Sequence, residues 1–369
     1  MYSVLEHLIA ISDYLISNLD EETGCLKILD GDWNDSLNGL GKSCDQNSKF
    51  GTGVSVMATL QLYQALSELS QILIKVGKQA LANTYVELRK ILGENILKYT
   101  IVTDGLNRKI LHGWGDKCSY FVGSFQDSDG VSRYSLTSAA FFVLTGALHL
   151  DVSLKKDILL MFSKLDAKYG LNTFTPAFTE KSKGVGRIAN MIAGTAENGA
   201  TYNHSTLFGI WALFELGEYR QAWKYVEKVI PITHDKISTS PFIMSNSYIY
   251  NPDLGLDGES GGDWYTGSAC VLVKVLVYKI FGIECTLDGL VFNPSAYMPF
   301  KNATIEMRIR DKKVAVEYTT NEELSQEIIA TTNNKTEKIQ LNDVGEYRFS
   351  FDDIQSDMKL SVINFHEYK

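Results

Sequence analysis

Apolar residues recur at helical spacing through most of the first 280 positions and alternate singly after about 300, and this change of period divides the chain. Leu5, Leu8, Ile9, Ile11, Leu15 and Ile16 fall broadly on one helical face, which Glu21-Glu22-Thr23-Gly24 ends. After Gly51-Thr52-Gly53 a long apolar helix is predicted over about 54–76, followed by a second over about 80–99. Further helices are expected near 135–149, 154–164, 205–216 and 218–229, with a hydrophobic one ending near Phe281. Between them lie long polar stretches with glycines and aromatics, 104–134, 171–202 and 245–266. Loops of that length inside a helical domain are uncommon as plain connections and usually carry function. Helix pairs separated by such loops suggest a helical barrel or toroid whose loops build one cleft at one end.

Residues 303–310 alternate with period two, Asp311-Lys312-Lys313 turns the chain, and 314–318 alternates back, which predicts a β-hairpin. Short strands are also expected at 327–331, 338–341, 347–351 and 360–365. The expected organisation is a helical domain over 1–284 and a β domain over 285–369, the second a structural cap with no obvious chemistry.

Composition narrows the class. The 369 residues are 45% hydrophobic and 21% charged, which suits a globular chain and argues against disorder. Thirty-five Lys and Arg against 44 Asp and Glu give a net charge of −9 with no basic run, so neither nucleic acid nor an anionic membrane is an expected partner. Five scattered cysteines (Cys25, Cys44, Cys118, Cys270, Cys285) without a CxxC pair fit reduced thiols in the cytoplasm. The first 19 residues carry Glu6 and Asp13 inside an amphipathic pattern, unlike a signal peptide or a membrane span.

The densest chemistry is Asp30-Gly31-Asp32-Trp33-Asn34-Asp35. Carboxylates and an amide meet sugar hydroxyls, an indole meets the C–H face of a ring, and a carboxylic acid near an indole can act as a general acid. An Asx-rich turn before a helix is the plain alternative. A calcium loop fails, because the sixth and twelfth places hold Asp35 and Gly41 instead of Gly and Glu. Glu197-Asn198-Gly199 with Asn203-His204 offers a carboxylate, amides and an imidazole at a helix entry, a site or a set of structural groups. Asp263-Trp264-Tyr265-Thr266-Gly267-Ser268 is either an anion-binding nest or an N-cap. Phe125-Gln126-Asp127-Ser128-Asp129-Gly130 is either a sugar contact or a turn. Walker, GxSxG, HExxH and Rossmann patterns are absent, and no metal site is expected.

Taken in order, Gly31-Asp32-Trp33-Asn34-Asp35, Glu197-Asn198-Gly199 with Asn203-His204, Trp264 with Thr266-Gly267-Ser268, and Gly289-Leu290 with Pro294 resemble glycoside hydrolase family 94, the cellobiose-phosphorylase-like inverting phosphorylases. The resemblance implies an (α/α)6 barrel followed by a β-sandwich-like domain. It implies phosphorolysis of a β-glucosidic oligosaccharide to α-glucose 1-phosphate, with inorganic phosphate as co-substrate and no cofactor. Asp35 would be the general acid. Trp33, Asn34, Glu197, Asn198 and Tyr202 would bind sugar, and His204, Thr266 and Gly267 would bind phosphate. Such an enzyme needs one proton donor, because phosphate itself is the anionic nucleophile on the opposite face. The sequences at 196–202 and 242–248 look nearer to the β-1,2-oligoglucan phosphorylase branch. An inverting hydrolase using Glu197 or Asp263 as base, or a truncated sugar-binding chain, are the competing readings.

Family members carry a β-sandwich, the first barrel helices and a phosphate-binding arginine ahead of the acid loop, where this sequence has about thirty residues. The barrel is therefore expected to be incomplete, with exposed apolar helix faces that an N-terminal half or self-association would cover. Little turnover is expected of the chain alone. Arg187 is the nearest candidate to replace the upstream arginine, with a solvated loop charge as the plainer reading.

Overall fold

The computed structural model describes residues 2–234, 243–263, 267–295, 297–319, 327–332, 335–355 and 357–363. They form two compact units, residues 1–216 with 225–268, and residues 217–224 with 269–369. Residues 269–284, read with the helical domain in the sequence, cluster with the second unit, where the Tyr318 hydroxyl donates to the carbonyl of Phe281, 3.1 Å away.

The first unit carries α1 (Val4–Ser17), α2 (Val56–Lys75), α3 (Gln79–Tyr99), α4 (Leu136–Leu144), α5 (Lys155–Leu165), α6 (Asn203–Glu215) and the later part of α7 (Tyr219–Val229). Ser3 and Glu6 close a capping box on α1. Gly77, at φ +77°, makes the left-handed turn that folds α3 back on α2. Helices α4 and α6 are buried almost all round, so their sequences lack a clean polar face. They pack on each other, with the Phe141 and Phe208 rings edge to face at 4.9 Å. Helix α1 is the opposite case. Val4, Ile11 and Tyr14 are exposed and only Ser12 is buried. None of the described helices is long and apolar enough to cross a membrane.

One device recurs at three helix starts. Val54–Ser55 pairs with Gly113–Trp114 just before α2, Tyr134–Ser135 with Phe174–Thr175 before α4, and Thr201–Tyr202 with residues 247–248 before α6. Each long loop is thereby pinned at the N-terminal end of a helix. The stretches 104–134 and 245–263 are consequently more regular than a loop. Ile101–Asp104 and Asn107–Ile110 form a hairpin, and Ser245–Asn251 pairs antiparallel with Leu256–Asp263. Loop side chains make their own core: Ile28, Leu37, Leu40, Val122, Phe174, Phe178, Val185 and Ile188 form one buried cluster. Burying each such side chain contributes about 1.5–3 kcal/mol, enough to hold these loops as structure.

Two buried carboxylates pin the loops further. Asp116 accepts from the backbone N–H groups of Cys44 and Thr52, both at 2.7 Å, and from the Thr52 hydroxyl. Burial opposes its ionisation, but those donors outweigh it and hold the carboxyl down at about 2. Asp129 is likewise held at about 2, where burial is outweighed by Arg133 and Ser182. A depressed carboxylate contributes stability that is complete above its ordinary value near ~3.9 and is lost as pH falls through the folded value. We expect near-UV circular dichroism to be flat from pH 7 to about 5 and to collapse between about 4 and 2. Asp116→Asn should flatten part of that dependence, whereas an unchanged acid transition would show that Asp116 contributes nothing to it.

In the second unit α8 (Ser268–Val275) runs into a π-helical turn, Leu276–Ile280. Two sheets follow. Ile283–Cys285, Gly289–Phe292 and Tyr347–Ser350 make one. The hairpin Asn302–Ile309 and Lys312–Thr319 enters the other, with Met358–Ile363 parallel to its second strand. Glu327–Thr332 and Lys335–Lys338 complete it. Val314, Val316 and Tyr318 are buried on one face, as single alternation requires. The strand expected at 338–341 is displaced to 335–338, where it pairs with Glu327–Thr332.

Candidate active site

The acid turn is built by two successive Asx bonds. Asp32 Oδ1 accepts from the Asn34 N–H at 2.9 Å, and Asn34 Oδ1 accepts from the Ser36 N–H at 3.2 Å and its hydroxyl at 2.7 Å. Asn34 thereby caps the short 3₁₀ turn Asp35–Leu37. The consequence is an alternation. Asp32, Asn34 and Ser36 point inward and are buried, while Trp33 is half-buried and the Asp35 side chain is 73% exposed. Asn34, expected at the substrate, is part of the turn's framework, and its Nδ2 has no partner among the described residues.

Asp32 is held from three sides. Besides the Asn34 N–H, Ser55 Oγ donates to Oδ2 at 2.6 Å and His112 Nε2 lies 2.9 Å from Oδ1. Burial opposes its charge, but His112 and Ser55 outweigh that and hold the carboxyl below the usual carboxylate range. His112 Nδ1 in turn meets Ser135 Oγ at 3.1 Å. Ser55 is the N-cap of α2 and Ser135 that of α4, so the turn is tied to two helix starts.

Trp33 reaches the third. Its indole packs edge-on against Tyr202 at 5.6 Å, His204 at 5.8 Å and Phe208 at 6.0 Å. His204 stands in the first turn of α6, which starts at Asn203, two residues earlier than its pattern suggested. Burial pulls the imidazole pKa below its ordinary value, so His204 is neutral at pH 7. Gly267 lies against this ring, where an added Cβ would stand 3.1 Å from Cε1. Two residues expected at phosphate are therefore together. Thr266, Trp264 and Tyr265 lie outside the described residues, as does the Asp263 side chain.

Burial raises the Tyr202 hydroxyl pKa, an Asn246 side-chain hydrogen bond works against that rise, and the charges of Glu197 and Asp35 add to it. Glu197 and Asp35 are thus both within electrostatic reach of the Tyr202 hydroxyl. Asn198, expected at sugar, is fully buried and its amide is spent on backbone. It accepts from the Phe178 N–H at 2.7 Å and donates to the carbonyls of Phe178 at 3.0 Å and Met191 at 2.9 Å. It is a staple that sets the loop carrying Glu197.

Arg187 reaches Asp35 directly, Nη2 to Oδ1 at 3.1 Å. Its segment docks on the acid turn through backbone: the Gly39 N–H donates to the Val185 carbonyl at 3.2 Å and the Arg187 N–H to Asn38 Oδ1 at 3.0 Å. Gly186 stands at φ +97°, and a Cβ there would come within 2.4 Å of the Gly39 nitrogen. No other residue fits. Asp127 and Asp129, in the stretch 125–130, are engaged by Arg133, Ser124 and Ser182, so that stretch is a structural turn.

His112, Ser55 and Ser135 were not singled out by sequence reasoning. His112 was visible in His112-Gly113-Trp114-Gly115, but nothing along the chain links it to Asp32, eighty residues away. Ser135, His112 and Asp32 resemble a nucleophile–base–acid series, but all three are buried, and Ser135 is 0% exposed.

An exposed carboxylic acid on a rigid turn, beside an indole, a phenol and a neutral imidazole, is a site suited to carbohydrate. The chain belongs to the glycosyl hydrolase 94 superfamily: the family model for its catalytic domain matches residues 1–282. Among curated relatives, a solabiose phosphorylase from Paenibacillus borealis is 28% identical over 79% of this chain and 36% of its own length. A 3-O-beta-D-glucopyranosyl-beta-D-glucuronide phosphorylase from the same organism is 25% identical over 84% of this chain and 38% of its own. The cyclic beta-(1,2)-glucan synthase NdvB of Rhizobium meliloti is 23% identical over 90% of this chain and 11% of its own. The chain spans little more than a third of the length of those phosphorylases. A solved structure titled "Sialidase" superposes with TM-score 0.58 at 10% identity, covering 85% of this chain and 27% of that one, a likeness of fold.

Proposed function

We propose that the protein carrying this chain is an inverting glycoside phosphorylase that cleaves a β-linked gluco-oligosaccharide with inorganic phosphate, releasing α-glucose 1-phosphate. The observation that supports the reading is that Trp33, two residues before Asp35, packs edge-on against His204, the ring on which Gly267 lies. In this reading a phosphate oxygen attacks the anomeric carbon from the α face. The glycosidic C–O bond breaks, and its electron pair takes the Asp35 proton as the shortened oligosaccharide leaves. Phosphate is already anionic, so donors and not a second carboxylate are what the nucleophile's side requires. His204 supplies a ring N–H there as a neutral donor, and its helix start favours an anion.

Glu197 and Tyr202 are assigned to the sugar. Arg187 pairs with the acid itself, and inversion puts phosphate on the face away from the acid. Arg187 therefore belongs to the leaving-group side and does not replace a phosphate-binding arginine. Arg187→Ala should raise KM for the oligosaccharide about three- to tenfold while KM for phosphate stays within about twofold, since an exposed contact of this kind contributes roughly 1 kcal/mol. A rise confined to phosphate would reverse the assignment.

A β-1,2 linkage is our preferred substrate class, on the resemblance of residues 196–202 and 242–248. The test is incubation of the full-length protein with sophorose-type and cellobiose-type oligosaccharides, with and without phosphate. Sugar phosphate formed only with phosphate supports the reading. Phosphate-independent reducing sugar would make the protein a hydrolase, and neither product would make it a sugar-binding chain.

A further inference from the structure

We propose that Asp32 and His112 are the positioning pair of this site, a buried carboxylate–imidazole contact that fixes the turn presenting Asp35. The proposal rests on reading Asp35 as the proton donor and adds what holds that donor in place. The two side chains are 0% and 1% exposed, so water neither competes with the contact nor screens it. Asp32 Oδ1 receives both His112 Nε2 and the Asn34 N–H, so the carboxylate that meets the imidazole is the one that shapes the turn. Asp35 follows three residues later, its backbone direction set by this Asx bond and by the Asn34 bond after it.

The pair also has two fixed ends. Ser55 Oγ holds the other carboxylate oxygen from the start of α2. Ser135 Oγ and, more distantly, Thr137 Oγ1 hold His112 Nδ1 from the start of α4. With Nε2 facing Asp32 and Nδ1 facing Ser135, both ring nitrogens have a partner within hydrogen-bond distance. The Phe174 ring packs edge-on against the imidazole at 5.1 Å and blocks its rotation. An apolar pair of equal volume would fill the space but could not orient the Asn34 N–H. A buried, hydrogen-bonded polar contact gives direction more than stability.

A misplacement of about 1 Å at the reacting groups can cost roughly 100-fold in rate. The test exploits leaving-group chemistry. Protonation matters for an oligosaccharide, whose leaving alkoxide is basic, and little for a nitrophenyl glucoside. His112→Ala should lower kcat for the oligosaccharide about 100-fold with KM within about threefold, and lower kcat for the nitrophenyl substrate less than about tenfold. His112→Gln, which retains a donor toward Asp32, should recover part of the loss. Equal losses on both substrates, or no loss on either, would overturn the proposal.

The second readout needs no turnover. In protein labelled with fluorotryptophan, the ¹⁹F resonance that vanishes in Trp33→Phe should move or broaden in His112→Gln while those of Trp211 and Trp223 stay. Should the wild-type protein form no sugar phosphate, the proposed function fails while this resonance still reports on the pair. If His112→Ala does not fold, His112→Gln decides both readouts. An unmoved Trp33 resonance in a folded His112→Gln protein would end the proposal.

Discussion

Asp35→Asn should lower phosphorolysis of a β-linked oligosaccharide about 10²- to 10⁴-fold, the range that a positioned general acid contributes. The amide keeps the shape of the side chain and removes the transferable proton. The turn itself should survive, because its hydrogen bonds come from Asp32, Asn34 and Ser36, and the Asp35 side chain is 73% exposed. The loss should fall on kcat with little change in KM, and a nitrophenyl leaving group should be spared most of it. Initial rates of sugar phosphate release measure all three. An unimpaired Asp35→Asn protein would move the proton donor elsewhere, Glu197 being the nearest carboxylate assigned to the sugar.

The largest effect on stability is expected at Arg133. Its guanidinium is buried and forked onto Asp127 at 2.9 Å and Asp129 at 3.0 Å, donates to the carbonyls of Pro176 and Ala177, and lies over the Phe178 ring at 4.1 Å. Arg133→Ala leaves two buried carboxylates without their cation, which costs about 3–5 kcal/mol. That is a large share of the ~5–15 kcal/mol that stabilises an ordinary domain. The same residue joins the loop after Val122 to the loop after Pro176, and Val122 and Phe178 sit in the apolar cluster beside Leu37. The acid turn should loosen together with the fold. Urea unfolding followed by near-UV circular dichroism gives the change. A shift below about 1 kcal/mol would mean that these loops open independently of the helices.

The helices were legible because α2, α3 and α5 bury one face each, and single alternation marked the hairpin at 302–319 for the same reason. The two-residue strands before α2, α4 and α6 were not legible. A ladder of two residues has no period, and its partner lies 40 to 60 positions away. The site divided along a similar line. Trp33, Asp35 and His204 drew attention by residue type, since an aromatic or a charge in a glycine-rich loop needs a reason to be there, whereas Tyr202 and Gly267 were named only through the family resemblance. Asn34 and Asn198 carry the same signal for a different cause. Their amides satisfy backbone groups inside the loops, a use that composition cannot separate from binding sugar. His112 shows the converse, a buried imidazole whose partner appears only in three dimensions.

On the proposed mechanism phosphate, and not water, attacks the anomeric carbon while Asp35 protonates the leaving sugar. Proton and phosphorus NMR of the full-length protein turning over a β-linked gluco-oligosaccharide in phosphate tests it most directly. α-Glucose 1-phosphate should be the first-formed product, in step with the shortened oligosaccharide and absent without phosphate. A β-configured sugar phosphate would contradict inversion, and free glucose appearing first, at a rate indifferent to phosphate, would contradict phosphorolysis itself.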